Sequence, residues 1–168
     1  MPKNSTICTS NVYYYARKEA SSCNERLNSR EGAAEETGID RTRIANIEIG
    51  NVIPYPEEVL MFAETYNAPD LENKHCSQVC PIGKRRVPCL EISSADKAVL
   101  NFMAAYIDLK RSDNEIEDLV IKAAEDGTVT DKTMSLLLRI MEKATTLNTR
   151  TQELILWTEK NIKRSEVP

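Results

Sequence analysis

The chain has 168 residues, of which 41% are hydrophobic and 29% charged, and its formal net charge is −4 at pH 7. Its length allows one large domain or two small ones, and we favour two. It has no run of about 18 apolar residues and its first residues are too polar for a signal peptide, so we expect no membrane partner and a cytoplasmic location.

The distribution of charge and the number of cysteines indicate whether the chain can bind DNA and whether disulfides hold it together. Residues 1–90 carry 11 basic and 12 acidic side chains, and residues 91–168 carry 11 and 14. Because phosphate binding depends on a local basic face, the near-neutral first half permits DNA binding if its arginines cluster. The five cysteines are an odd number and argue against a disulfide framework.

A first helix is predicted over residues 11–27. Its apolar side chains recur at spacings of three and four, which is typical of one buried helical face. The residues on this face are Val12, Ala16, Ala20, Cys23 and Leu27. Cys23 is therefore expected in the core, and the three consecutive tyrosines at 13–15 should expose at least one ring beside it.

The next stretch, residues 29–54, reads SREGAAEETGIDRTRIANIEIGNVIP and predicts two short helices joined by a tight turn. Ala34 gives the first of these helices a small face that a second helix can cross closely. Gly38 suits the left-handed conformation that commonly ends a helix, and Ile39 then returns to the core. The spacing therefore predicts a compact helix-turn-helix unit.

The second helix of this unit is predicted over residues 41–49. Asp40 is placed to cap it by accepting hydrogen bonds from backbone N–H groups of the first turn. Ile44 and Ile47 share its inward face. The outward side chains carry donors and acceptors suited to base edges and phosphates, and they are Arg41, Thr42, Arg43 and Asn46. This helix is the candidate recognition helix.

Several of these residues together resemble the signature of the lambda-repressor/Cro-like (XRE) family of DNA-binding proteins. They are Ser29, Ala34, Gly38, Ile39, Asp40, Ile44, Ile47, Glu48, Gly50 and Pro54. The resemblance covers about residues 11–72 and implies a compact five-helix domain that binds double-stranded DNA. Family members usually have a glutamine where this chain has Arg30, so we expect phosphate contact there. The predicted DNA-contacting residues are Ser29, Arg30, Asp40, Arg41, Thr42, Arg43, Asn46 and Asn51.

Two further helices complete the predicted DNA-binding domain, residues 1–73. Pro56 suits the first position of a fourth helix that ends at Asn67. Its inward face is predicted to comprise Val59, Phe62, Ala63 and Tyr66. A short fifth helix is predicted over residues 69–74. Tyr66, Leu71 and the stretch CSQVCPIGK also resemble a subgroup of regulators from Gram-positive bacteria with a helical carboxy-terminal extension.

Residues 74–92 are a predicted linker rich in cysteine and proline. Its possible metal ligands are His75, Cys76, Cys80 and Cys89. These residues suit zinc or an iron–sulfur cluster, but the second closely spaced cysteine pair of most structural zinc sites is missing. We therefore predict no metal and no cofactor, with the thiols as small buried hydrophobes that fasten the linker. The basic residues 84–86 are predicted on a loop, where they contact the DNA backbone or are simply solvated.

Residues 93–168 are predicted to form a helical dimerisation or interaction domain. A helix over residues 93–111, started by a capping box of Ser93 and Asp96, has one apolar face. That face is predicted to comprise Val99, Phe102, Met103 and Tyr106. A second helix follows Ser112 and Glu115, which repeat the capping spacing. Its apolar stripe is predicted to comprise Ile116, Leu119, Val120 and Ala123.

The last helix is predicted over residues 131–163 with a heptad-like apolar seam. The seam residues are Leu137, Ile140, Ala144, Leu147, Thr151 and Leu154. Two shorter helices cover only part of a helix this long, so we predict a homodimer through the carboxy-terminal helices. The alternative is a three-helix bundle within one chain.

No catalytic constellation is present in the sequence. The single histidine, His75, lies among cysteines without a nucleophile motif, and five glycines leave little room for a phosphate-binding loop. We therefore predict that the chain is not an enzyme. The leading hypothesis is a sequence-specific transcriptional regulator, a repressor that acts as a dimer. The alternative is a helical protein-interaction module, adaptor or antitoxin-like, whose helix-turn-helix no longer binds DNA.

Overall fold

A computed structural model describes residues 12–126 and 131–162. This part of the chain is all helical, as predicted, and it contains no strand. The helices are α1 (Val12–Ala20), α2 (Arg30–Thr37), α3 (Arg41–Glu48), α4 (Pro56–Thr65), α5 (Asp70–Gln78), α6 (Gly83–Arg86), α7 (Ala95–Lys110), α8 (Asp113–Asp126) and α9 (Asp131–Asn161). A search of the described residues finds no helix both long and apolar enough to span a membrane.

The chain divides into two compact units between Cys89 and Leu90. The first unit contains α1–α6 and the second contains α7–α9. Residues 74–89 therefore belong to the first unit, and α5 continues beyond the predicted end at residue 74. The basic residues 84–86 lie in α6 and not on the predicted loop. A Cβ atom at Gly83 would collide with the carbonyl of Cys76, so this glycine lets α6 approach α5 closely.

The core of the first unit is a single cluster drawn from α1–α5 and the connections between them. Its buried members are Tyr13, Ala16, Leu27, Ala33, Ile39, Ile44, Ile47, Val59, Phe62, Ala63, Tyr66, Ala68 and Leu71. Phe62 lies at its centre, with ring centroids 5.4 Å from both Tyr13 and Tyr66. The predicted inward face of α4 is therefore confirmed, and Tyr15 is the exposed ring of the tyrosine run.

The predicted first helix is wrong in its second half. α1 ends at Ala20, and a separate 3₁₀ helix, Glu25–Asn28, follows it. The Asn24 side chain accepts a hydrogen bond from the backbone N–H of Arg26, which starts that helix and competes with continuation of α1. Cys23 lies in the intervening turn and is exposed, not buried as predicted. Leu27 is still buried, because the 3₁₀ helix turns it back into the core.

The helix-turn-helix forms as its sequence predicts. Ser29 Oγ accepts a hydrogen bond from the backbone N–H of Gly32 at the start of α2, and Gly38 ends that helix at φ 72°. Asp40 Oδ1 accepts from the backbone N–H of Thr42 at 2.8 Å and caps α3. The close helix contact is made by Ala33, which is fully buried, whereas the predicted Ala34 is only half-buried.

The second unit consists of α7 and α8 packed against the 31-residue helix α9. Among the described residues of this unit, the buried hydrophobic side chains are Leu90, Ala98 and Leu156. The predicted capping box is wrong, because α7 follows Ser94, whose side chain makes no capping hydrogen bond. The predicted seam of α9 is half-buried along its length.

The predicted inward face of α7 is also wrong. Val99, Met103 and Tyr106 are 46%, 44% and 45% exposed. The small residue Ala98 is buried instead, and Phe102 is half-buried. On α8, Ile116 and Leu119 are half-buried, while Val120 is exposed. Twelve large apolar side chains among the described residues of the second unit are therefore exposed.

Candidate nucleic-acid interface

The outer surface of α3 carries the predicted recognition residues. Arg41 and Thr42 are exposed, and Arg43 and Asn46 are half-buried. Ile44 and Ile47, on the opposite face, are 1% and 4% exposed and anchor the helix in the core. The helical period therefore separates the two sets of side chains as the sequence predicted.

Arg41 is the most accessible cation of this surface. Its side chain is 61% exposed and forms an ion pair with Glu31 on α2, whose side chain is equally exposed. A hydrogen bond from its own backbone N–H and the charge of Arg41 lower the pKa of Glu31, so its carboxylate is charged at neutral pH. Because both groups face water, the Arg41 guanidinium can exchange Glu31 for another anion at little cost.

Arg43 is held much more firmly than Arg41. Its Nε and Nη2 atoms donate to the two carboxylate oxygens of Glu58, both at 2.8 Å. Its guanidinium also lies over the Tyr55 ring, 4.9 Å from the centroid. Glu58 accepts a further hydrogen bond from the backbone N–H of Tyr55, so Arg43 ties α3 to the start of α4. The hydrogen bond from Arg43 is the main reason that the pKa of Glu58 is lowered.

Arg30 takes part in a buried ion network that the sequence interpretation missed. Glu48, which is 1% exposed, accepts from Arg17 Nε at 2.6 Å and from Arg30 Nε at 2.7 Å. Arg17 also donates to the backbone carbonyls of Leu27 and Asn28. Burial would lower the pKa of Arg17, but the hydrogen bond and charge of Glu48 outweigh it and the pKa is raised.

A sequence signal for this network existed. Arg17 follows Tyr13 by four residues, and Glu48 follows Ile44 by four. Each charge therefore occupies a core-facing position of its helix. Two opposite charges at such positions on neighbouring helices predict a buried pair.

The remaining predicted site residues make local contacts. Ser29 and Asp40 cap α2 and α3. Asn46 donates to the backbone carbonyl of Thr42 at 2.9 Å, and Asn51 donates to the side-chain oxygen of Asn46 at 3.3 Å. The structure thus brings Asn46 and Asn51 together at the carboxy-terminal end of α3, while Arg41 and Thr42 lie at its amino-terminal end.

The cysteines do not follow the predicted pattern of buried hydrophobes. Among the described cysteines, Cys76 and Cys89 are exposed, as is Cys23, and Cys80 is half-buried. The Sγ atom of Cys80 accepts from the backbone N–H of Gly83 at 3.4 Å. Within the described ranges, no group of three or more His, Cys, Asp or Glu side chains is arranged to hold a metal ion. His75 is buried in the first unit, away from solvent.

Comparisons with protein-family models, with curated proteins and with solved structures find no match to this chain.

Proposed function

We propose that this chain is a DNA-binding transcriptional regulator of the lambda-repressor/Cro-like (XRE) class, that helices α1–α5 of its first unit form the five-helix DNA-binding fold of that class, and that it acts as a repressor. The observation that carries the proposal is the helix-turn-helix of α2 and α3. Its inner face is buried by Ile44 and Ile47, and its outer face presents Arg41 and Thr42 to solvent. A helix held in this way presents its first turns to the major groove, where base contacts concentrate.

The contacts of the arginines assign them different roles in this proposal. Arg41 and Thr42, together with Asn46, are placed for base contacts, because their side chains lie on the outer surface of α3. Arg30 keeps one part of its guanidinium accessible for phosphate while its Nε is bound to Glu48. Direct DNA contact by Arg43 stays a prediction, and its bidentate bond to Glu58 favours a role in holding the loop before α4.

The test is a binding selection from random duplex DNA followed by measurements on variants. Arg41→Ala should weaken binding to the selected sequence by about 1–3 kcal/mol and relax the sequence preference. Arg26→Ala is the matched control, because Arg26 is a similarly exposed arginine in ion pairs with glutamates on α2, but it lies outside α3. Failure to enrich any sequence, or equal losses for both variants, would refute the proposal.

One observation favours the alternative function, a helical protein-interaction module. Each of the three arginines expected at DNA is paired with a carboxylate of the same unit, namely Glu48, Glu31 and Glu58. These pairs reduce the positive potential that draws a protein to phosphates. The same selection separates the two proposals, because an interaction module would enrich no sequence at any salt concentration.

We also propose that the chain dimerises through its second unit. α7 exposes five large apolar side chains at helical spacing, which are Val99, Leu100, Met103, Tyr106 and Ile107. α9 adds Met134, Leu138 and Met141. An exposed apolar surface of this extent is typical of an interaction site, and a second copy of the chain presents a matching surface by symmetry. A dimer would offer two copies of α3 to DNA half-sites about one helical turn apart.

A further inference from the structure

The first unit contains a pocket of about 140 Å³ beside the carboxy-terminal end of α3. Its walls come from α1, α3, the connection between α3 and α4, α5 and α6. The apolar lining residues are Val12, Tyr13, Ile47, Ile53, Pro54 and Val79. This volume is close to that of a protein cavity known to accept a single benzene ring.

The polar lining is confined to one side and comes from α5 and α6. It consists of Lys74, His75, Gln78 and Lys84. Lys74 is already paired with Asp70 at 2.6 Å, and Gln78 donates to Cys89 Sγ. The Lys84 side chain is exposed, with no acidic partner within the described ranges. An ammonium group at the rim of an apolar pocket favours an anion.

His75 is the most deeply buried of the polar lining residues. It is 9% exposed, and its Nδ1 atom is closed off from solvent and has no hydrogen-bond partner among the described residues. Burial lowers the pKa of His75, so the imidazole is neutral at pH 7 and places no positive charge in the pocket wall. The exposed Lys84 is therefore the polar group of the lining that a bound anion can reach from solvent.

We propose that this pocket binds a small monocarboxylate with a compact apolar body about the size of one aromatic ring. The body would lie against Ile47, Ile53 and Val79, and the carboxylate would accept from Lys84 Nζ at the rim. A neutral Tyr13, whose pKa is raised to about 12 by burial and by the charge of Glu58, completes the apolar wall without repelling the anion.

The pocket is connected to the recognition helix by two contacts. Ile47 belongs to the buried face of α3, and the backbone carbonyl of Ile53 accepts from Arg43 Nη2 at 3.4 Å. A ligand against these residues would therefore favour one position of α3 relative to α4. This coupling, which rests on the proposed DNA-binding function, makes the carboxylate an effector of DNA affinity.

The binding test uses the full chain without DNA, so its result is independent of the DNA-binding proposal. Phenylacetate is titrated into ¹⁵N-labelled protein, with 2-phenylethanol and acetate as probes that lack the charge or the ring. We expect phenylacetate to shift the amides of Ile47, Ile53 and Val79 with a dissociation constant of about 1 mM or below, as for a small fragment. The alcohol should bind at least about tenfold more weakly, because charge assistance to the hydrogen bonds is lost.

Variants of lining residues test whether phenylacetate binds in this pocket. Lys84→Gln should weaken phenylacetate binding about fivefold or more, whereas Arg85→Gln, the next cation on α6, should leave it within about twofold. Val79→Phe should fill the pocket and abolish the shifts, with an unchanged amide spectrum elsewhere showing that the fold is intact. Shifts confined to other residues or equal effects of the two α6 variants would overturn the proposal. So would the absence of shifts at roughly 20 mM phenylacetate, about twenty times the expected Kd.

A second arm tests the coupling on the DNA sequence selected above. Saturating phenylacetate should change the affinity of the wild-type chain for that sequence by about threefold or more and leave Lys84→Gln unaffected. An unchanged affinity with the pocket occupied would overturn the effector role. A chain that binds phenylacetate in the pocket but enriches no DNA would support the ligand site and refute the DNA-binding proposal instead.

Discussion

The two units of the chain bury their apolar side chains to different extents. In the described part of the chain, the first unit buries thirteen hydrophobic side chains in one cluster, whereas the second buries three. The second unit leaves twelve large apolar side chains exposed, against seven in the first. In the second unit α7 and α8 both pack against α9, and the exposed faces of these helices still carry large apolar side chains. The comparison shows that the first unit buries its apolar side chains in its own cluster, whereas the second leaves many of its own exposed, and the proposed dimer would cover these.

The largest expected effect comes from the buried ion network of the first unit. Glu48→Gln leaves Arg17 buried without a carboxylate, and it should lower the free energy of unfolding of that unit by about 3–5 kcal/mol. The matched variant in the second unit is Glu153→Gln. Glu153 is also buried, but its partner Arg150 is 38% exposed on the side chain, so the loss should be about 1 kcal/mol.

Urea denaturation with separate reporters measures both losses. The chain has one tryptophan, Trp157, whose fluorescence reports on the second unit, and amide signals of α4 report on the first. Equal destabilisation by the two variants would contradict the proposed difference between a buried ion network in the first unit and a partly exposed ion pair in the second.

The second expected effect concerns association through α7. Met103→Glu places a charge in the exposed apolar surface and should convert the proposed dimer into a monomer at tens of micromolar protein, because burying an unpaired charge at the interface is costly. Lys110→Glu is the control, since this exposed residue at the end of α7 lies outside that surface. Sedimentation measures the mass of each variant.

Leu147→Glu distinguishes the two faces of α9. Leu147 is half-buried within the unit, so its replacement should unfold α7–α9 and not merely separate the copies. A wild-type chain that sediments as a monomer, with a Trp157 transition independent of protein concentration, would show that the second unit needs no partner.

The third expected effect is a pH dependence of the free energy of unfolding of the first unit. The pKa of Glu58 is lowered in the folded state, chiefly by its hydrogen bond from Arg43. Its stabilising contribution is therefore fully present above the unfolded-state pKa of 4.5 and is lost as the pH falls through the lower folded-state value. Glu58→Gln should cost about 1 kcal/mol at pH 7 and little at pH 3, because Gln preserves the capping hydrogen bond but not the charge. A constant difference across this range would contradict the ion-pair explanation.

The smallest expected effect is that of Cys23→Ser. Because Cys23 is exposed in the turn after α1, the substitution should change the free energy of unfolding by less than about 0.5 kcal/mol. Cys80→Ser provides the contrast, since Cys80 is half-buried against α6 and should cost more. A loss of 2 kcal/mol or more at Cys23 would restore the sequence-based expectation that this thiol packs in the core.

Features that depend on a few neighbouring residues were predictable from the sequence. The caps at Ser29 and Asp40, the left-handed Gly38 and the start of α4 at Pro56 all involve hydrogen bonds or backbone angles within four positions. The core-facing Ile44 and Ile47 follow from helical period alone. These signals are local, so they place the helix-turn-helix and its outward residues before any packing is known.

Features that depend on distant residues were decided by the tertiary structure. Arg17 and Glu48 are 31 positions apart, and only the crossing of α1 and α3 joins them and fixes one side of Arg30. Cys23 is exposed and not in the core, because the Asn24 cap starts a new helix. The apolar period of the sequence continues through Cys23 and gave no sign of this break. On α7 the helical period predicted one apolar face. In the structure the small residue Ala98 is buried instead, while Val99, Met103 and Tyr106 are exposed. Periodicity identifies which side chains share a helical face, whereas the partner that covers a face is determined by packing between elements far apart in the chain.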